Sequence, residues 1–488
     1  MALPASFDRR RARTAGWVFG WFAAGAAVAA SPPPSPPPSP PPASATAVSA
    51  PANLASESPA AAASPFPDVL ALVTSRDPQV RSAREALNAV IAQAGQAKSR
   101  LFPRIGLTTT YGGSQESSLG LPFDRSSNRT EAYLRWNLFN GLADTTQIDA
   151  TDHERLAAIG DLQRALDDAC QRSIEAYFDW LRLDRQSERS ALRVAQVGAL
   201  AERVRLQWAG GKATEGDSQL AASALIDAQF THESLLADRA AARAKIETLA
   251  GARLGQPVPW ALPAEAARSA GFELPLDDAL AQARLGNGQW RAADERAEAA
   301  RLRVGILPAD YLPKLDLDVR RRVADHTAPA PDPAQRSSWS LQLTYEIPLG
   351  GEVGHRRDEL RARAQSALAD ADRVGQSVRS DLAATRFRAE QARASLEPLQ
   401  RQTGYLQDVV RTSELQYDAG RRSLLQLIQL RDQRFTAEQR SADNDYRLMS
   451  AQSQWLALSG TLAQALGIAV PQDVAQPIAA AARRDDPM

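Results

Sequence analysis

The chain has 488 residues, with 57 Lys plus Arg against 57 Asp plus Glu, so its formal net charge is zero and no basic field exists to hold nucleic acid. Apolar residues at 44% suffice for a core, whereas aromatics at 6% and recurring alanine, arginine, leucine and glutamine suit long helices better than a compact enzyme. One cysteine, Cys170, and four scattered histidines exclude a disulfide framework and a zinc cluster.

At the N-terminus, Arg9, Arg10, Arg11 and Arg13 precede an apolar stretch over 15–30 and then small residues, which predicts a secretory signal (1–30) cleaved within 27–45. The stretch is short of the ~20 residues of a spanning helix, which makes an uncleaved anchor the weaker alternative. No cysteine follows it to carry a lipid. From 31 to 64, serines followed by three prolines and then Ala/Ser-rich sequence predict a flexible leader.

The rest is an internal repeat at an offset of about 209 residues. Gln207-Trp208-Ala209-Gly210-Gly211 corresponds to Gln416-Tyr417-Asp418-Ala419-Gly420, and Trp136-Asn137-Leu138-Phe139-Asn140-Gly141 to Tyr345-Glu346-Ile347-Pro348-Leu349-Gly350. A third match pairs Leu101-Phe102-Pro103-Arg104 with Tyr311-Leu312-Pro313-Lys314. The expected units are 65–254 and 275–470, joined by a proline-bearing linker (255–274) and followed by a flexible tail (471–488).

Each unit opens with a helix, about 67–100 and 276–307. A pair of strands follows, in hairpins about 104–139 and 314–348. Leu134, Trp136 and Leu138 alternate with polar residues in the first, as do Leu315 and Leu317, then Trp339, Leu341, Leu343 and Tyr345, in the second. A Gly/Ser-rich loop (112–129) and a Pro/Ala-rich loop (324–337) separate the strands. Such alternation fits barrel strands, apolar side to lipid and polar side to a wet lumen, with a half-buried sheet in a soluble domain as the alternative. Two hairpins supply four strands, too few to enclose a lumen, so a barrel requires a homo-oligomer.

Beyond each hairpin a very long helix is expected, about 144–207 and 353–416, and roughly 65 residues at 1.5 Å each reach on the order of 100 Å. Leu156, Ile159, Leu162, Leu166, Ile174, Tyr177 and Leu181 keep coiled-coil spacing in the first; Leu396, Leu399, Leu406, Val410 and Leu415 keep it less strictly in the second. The interleaved charges read as solvated faces and inter-helix pairs. Each long helix ends at a glycine turn, Gly210-Gly211 or Ala419-Gly420, before a return helix, about 217–250 and 424–466.

This order of elements, repeated behind a signal, resembles the TolC family of outer-membrane channel proteins over about 65–470. The residues that carry the resemblance are the proline before each hairpin, the exit from Trp136 to Gly141, and Tyr417-Asp418-Ala419-Gly420-Arg421-Arg422-Ser423-Leu424-Leu425. The resemblance implies a mainly α fold with a membrane β-barrel: a homotrimer whose twelve strands form one barrel in outer-membrane lipid, continued by an α-helical coiled-coil tunnel through the periplasm. It also implies a periplasmic adaptor docked at the helical tips, an inner-membrane transporter (ABC favoured over RND), and neither catalysis nor cofactor. Tyr417 and Arg422 match residues that hold the periplasmic entrance closed, and Asp217 an acidic partner, so that a Tyr417 to Asp217 hydrogen bond and links from Arg422 to a neighbouring protomer are expected. Gln426 and Gln429 stand where relatives place an acidic ring. Among family members the Trp136 to Gly141 exit is similar to CyaE-like type I secretion components, which favours protein export over multidrug efflux. A periplasmic adaptor or coiled-coil scaffold is the alternative class; no phosphate loop, nucleophile elbow or histidine pair supports an enzyme.

Overall fold

Prolines, glycines and short polar side chains set the boundaries of every element in the computed structural model, which describes residues 63–118, 121–263, 275–306, 309, 311–325, 337–346 and 350–468. The signal, the leader up to residue 62, part of the linker (264–274), the loop 326–336 and the tail beyond 468 lie outside the described residues.

The opening helix is two helices, α1 (Phe66–Arg76) and α2 (Pro78–Ser99). Pro78 disfavours helical geometry at Asp77, whose Oδ1 accepts the N–H groups of Gln79 at 2.7 Å and Val80 at 3.2 Å. Arg172 donates to the same carboxylate at 2.8 Å. The hairpin of β1 (Arg104–Ser118) and β2 (Leu121–Asn140) is longer than the alternation suggests: pairing runs through the expected 112–129 loop to Ser118 opposite Leu121. Turn-rich composition hid this outer part of the hairpin.

Helix α3 (Ala143–Ala209) and its later counterpart α7 (Glu352–Asp418) each have 67 residues, close to the expected spans. Both start from a left-handed residue, Leu142 at φ 69° and Gly351 at φ 75°. The return helix α4 (Glu215–Ala250) begins with a capping box in which Thr214 and Asp217 bond each other's backbone N–H. The second unit repeats the broken opening helix as α5 (Leu276–Gly286) and α6 (Gly288–Val304), split at Asn287, which caps Trp290 N–H at 3.0 Å. Then come β3 (Lys314–Asp325), β4 (Ser337–Thr344), α7, and α8 (Leu424–Leu458). The second return helix stops short of 466, because the chain turns at Gly460 (φ 72°) before the short α9 (Leu462–Ala465).

The four strands form one antiparallel sheet in the order β1-β2-β3-β4, which leaves β1 and β4 as open edges. The helices pack as two hairpins, α3 with α4 and α7 with α8, touching along α3 and α8. Midway along them Phe66 and Val69 of α1, Ile174, Tyr177 and Trp180 of α3, Ile246 of α4, Leu382 of α7, and Trp455 and Leu456 of α8 share one core. Of the expected coiled-coil positions, Ile159, Leu162, Leu166, Ile174, Tyr177 and Leu181 are buried. In α7 the expected Val410 is buried, whereas Leu415 is exposed, because Ser413 holds the inward position there.

A second junction fixes α3 against the breaks of the second unit. A Cβ on Gly160 or Gly288 would overlap the other's carbonyl, and Gln163 Nε2 donates to the carbonyls of Gly286 at 2.7 Å and Gly460 at 3.2 Å. Asn287 Nδ2 adds a bond to Leu458 O at 2.9 Å. Cys170 is buried among apolar side chains; burial pushes its thiol above the usual range, which makes it an inert packing residue.

Candidate functional site

Pairing across the sheet sorts its side chains onto two faces. Leu134 stands opposite Ile105 and Val319, Trp136 opposite Leu317, and Leu315, Leu317 and Val319 opposite Leu343, Leu341 and Trp339. These apolar residues share one face, and most are exposed in the chain, Trp339 at 75% and Leu343 at 67%. Leu138 differs from expectation: a register shift between Asn137 and Phe139 gives Phe139 the position opposite Leu315. Tyr345 lies just past β4 and is exposed. Trp136 Nε1 donates to Leu101 O at 2.9 Å, pinning the aromatic ring at the end of the sheet nearest the helices.

The opposite face is polar and ionic. Arg135 and Arg320 converge on Asp318 at 3.3 and 2.6 Å, and Asn137 donates to Asp316 at 2.9 Å. Arg322 lies 4.0 Å and Arg129 3.8 Å from Glu131. Apolar on one side and polar on the other, with β1 and β4 as open edges, the sheet has the form of a barrel segment that other copies would have to complete.

At the far end of the long helices the two tips are built alike. Gly211 (φ 72°) and Gly420 (φ 70°) close α3 and α7 with Schellman bonds, Lys212 N to Gln207 O at 2.7 Å and Arg421 N to Gln416 O at 2.8 Å. Gly210 has negative φ and is a helix cap, so only the second glycine of that pair is required by backbone geometry. Leu200 and Val204 of α3, Ala221 of α4, and Leu424 and Leu427 of α8 form a small apolar cluster against which Tyr417 packs.

The structure places Tyr417 and Asp217 near each other at the tips but without the expected hydrogen bond. The Tyr417 hydroxyl donates to Gln207 Oε1 at 3.3 Å rather than to Asp217, whose carboxylate is taken by the Thr214 hydroxyl at 2.7 Å and its backbone N–H. Burial, with the nearby Asp217 and Asp418 charges, holds the Tyr417 phenol above its usual range, so it stays a neutral donor. Within the chain, the Arg422 guanidinium bonds Ser413 Oγ and Gln416 Oε1. Gln426 and Gln429 lie exposed on the first turns of α8, Gln426 bonding the Ser423 cap through its N–H at 3.4 Å.

The arginines between the hairpins were legible only as generic helix charges. Arg203 of α3 pairs with Asp418 at 3.1 Å, Arg193 bridges Asp227 and Asp432 at 3.1 and 2.8 Å, and Arg431 joins Glu414 at 2.6 Å to Gln196 O at 3.3 Å. The available signal was Asp418 inside the tip motif, but its partner lies 215 residues away in sequence.

Among the described residues no group of His, Cys, Asp and Glu could hold a metal ion, and no helix is long and apolar enough to cross a membrane. Solved structures share the architecture. The Campylobacter jejuni CmeC outer membrane channel matches with a TM-score of 0.71 at 12% identity, covering 85% of this chain and 88% of that one. The Vibrio cholerae outer membrane protein VceC gives 0.66 at 17%, covering 82% and 96%. The open Neisseria gonorrhoeae MtrE channel gives 0.62 at 18%, covering 81% and 89%. No curated protein sequence matches the chain. The family model described as outer membrane efflux protein matches residues 69–252 and 279–464, the two repeats in turn, which sets aside the adaptor or scaffold alternative. The chain therefore belongs to the outer membrane efflux protein family: it is a channel subunit of the trimeric, tripartite-system type, placed in the outer membrane and reaching into the periplasm.

Proposed function

We propose that this channel subunit serves type I secretion, as the passive duct through which a protein such as a repeat-rich toxin or adhesin leaves the cell. An ABC transporter supplies the energy and a periplasmic adaptor joins the two at the helical tips. The observation that carries this reading is the Trp136 to Gly141 exit from the first hairpin, similar to CyaE-like components. Small-molecule efflux is the second reading, favoured by the family's description as efflux proteins.

The tips are the entrance of the duct, with Tyr417, Arg422 and Asp217 at its closure and Gly210, Gly211 and Gly420 shaping the docking surface. Their contacts are weak by design of position: Arg203 and Asp418 are each about half exposed, and such a pair contributes roughly 0–1 kcal/mol. An adaptor bound across the tips overcomes bonds of that size.

Complementation separates the two readings. In cells lacking their own channel of this class, the chain is supplied with either a type I ABC transporter, adaptor and cargo, or an RND pump and its adaptor. Restored cargo in the medium without restored drug tolerance is expected. Drug tolerance without secretion would replace the secretion reading by efflux.

A further inference from the structure

The polar face of the sheet holds two cations that the ion-pair network leaves out. β1 and β3 each start on a basic residue directly after a proline, Pro103-Arg104 and Pro313-Lys314, at corresponding positions of the two repeats. Register puts both on the polar face: Arg104 stands opposite Arg135, and Lys314 stands between Asn140 and Thr344. Both side chains are exposed, and neither has an ion pair among the described residues.

The carboxylates within the strands of this face are taken by other partners, Asp318 level with Arg104 and the others farther along. Asp318 is shared by Arg135 and Arg320, Asp316 takes Asn137, and Glu131 lies against Arg129 and Arg322. Asp325 ends β3 at the opposite rim. Glu346, two residues past β4, is exposed and makes no ion pair with Lys314. At the other end of the duct, Gln426 and Gln429 add no negative charge.

When three chains close a barrel by pairing β4 of one with β1 of the next, β1 and β3 become alternate strands, so the two cations per chain recur around the rim nearest the helices. Arg104 is level with Asp318 through Arg135, four residues along β3 from Lys314, so two strand spacings of about 4.8 Å and four residues of about 3.3 Å put the two cations roughly 16 Å apart. That is about two Debye lengths at physiological salt, so the cations act there as separate charges spaced around the rim, and their fields merge at about 0.01 M salt, where the Debye length reaches about 30 Å. We propose that Arg104 and Lys314 form a ring of cations at the periplasmic mouth of the barrel that makes the pore prefer anions, in the way charged rings select ions in other pores. This rests on the duct reading and adds a selectivity element to it.

The test is the reversal potential of purified trimers in a planar bilayer under a potassium chloride gradient, in the wild-type chain and in Arg422→Ser so that a closed entrance does not mask the barrel. Chloride is expected to permeate in preference to potassium. The joint substitution Arg104→Gln and Lys314→Gln, which keeps side-chain bulk and therefore insertion, is expected to lower that preference severalfold, and Arg104→Glu with Lys314→Glu to invert it. A wild-type preference for potassium, or a chloride preference untouched by the glutamine pair, would overturn the ring while leaving the duct intact. Trimers that never conduct in either background would overturn the duct and the ring together.

Discussion

Asp167 is a carboxyl buried in the middle of α3, with Ala463 N–H at 3.3 Å as its one hydrogen-bond donor among the described residues. Burial pushes its pKa from 3.8 up to about 7, the Ala463 bond offsetting part of the rise and the Asp168 charge adding to it. The folded chain keeps a proton that the unfolded chain has released, so this site stabilises fully below about pH 4, and the contribution is lost as pH rises to about 7. Asp167→Asn, which retains an acceptor for Ala463, is expected to flatten that slope and raise stability above pH 7. Denaturant unfolding at pH 5 and pH 8 checks it, and an unchanged pH dependence would remove Asp167 as the cause. Nothing in the local sequence marks this residue, because its surroundings come from α9, almost 300 positions later. The same holds for Tyr417: its place at the tip was readable from the motif, but its partner was not. Asp217 sits three residues after Thr214, and that local cap satisfies the carboxylate before the tyrosine can.

At the scale of elements, the alternation read from the sequence sorts into an apolar and a polar side of the sheet, while the first hairpin runs longer than it suggests. Period-two patterning identifies a strand only while apolar residues alternate with polar ones; from Gly112 to Ser118 the sequence holds no such alternation, yet β1 stays paired to Ser118. Helix periodicity failed in the complementary way, running uninterrupted across Asp77 and Asn287, where a side-chain cap starts a new helix. The dipeptides Asp77-Pro78 and Asn287-Gly288, at matching places in both repeats, were the overlooked signal. The faces themselves are testable. Leu341→Arg puts a charge on the apolar face and costs roughly 2–4 kcal/mol if it lies near the bilayer midplane, whereas Ser340→Arg puts it in the lumen. Trimers recovered from outer membranes, counted by their resistance to heating in detergent, are expected to fall sharply for Leu341→Arg and little for Ser340→Arg; equal losses would mean that the faces are assigned wrongly.

For the molecule as a whole, the repeat carried most of the architecture: two long helices, two hairpins and two glycine turns followed from one offset. The joining of the repeats did not. It depends on the shared core of Tyr177, Trp180, Leu382 and Trp455 and on arginine pairs between α3 and α8, contacts between residues too distant in sequence for any periodicity to register. Closure of the entrance belongs to this scale. Arg422 ties the start of α8 back to α7 through Ser413 and Gln416, so Arg422→Ser is expected to raise single-channel conductance, and an unchanged closed level would exclude it from the gate.

The crossing of Gly160 over Gly288 has a mechanical consequence. Backbone meets backbone there, and the bonds from Gln163 to Gly286 and Gly460 leave α3 no room to slide. Farther down, the shared core holds α3 again as far as Leu181, and below it about 28 residues run on to the tip, an arm of roughly 42 Å. A tilt of only about 5° below the core swings the end of such an arm through ~4 Å. Movement of that size at the entrance leaves the core and the clamp in place, and the weak pairs at the tips sit where a small force has the greatest purchase.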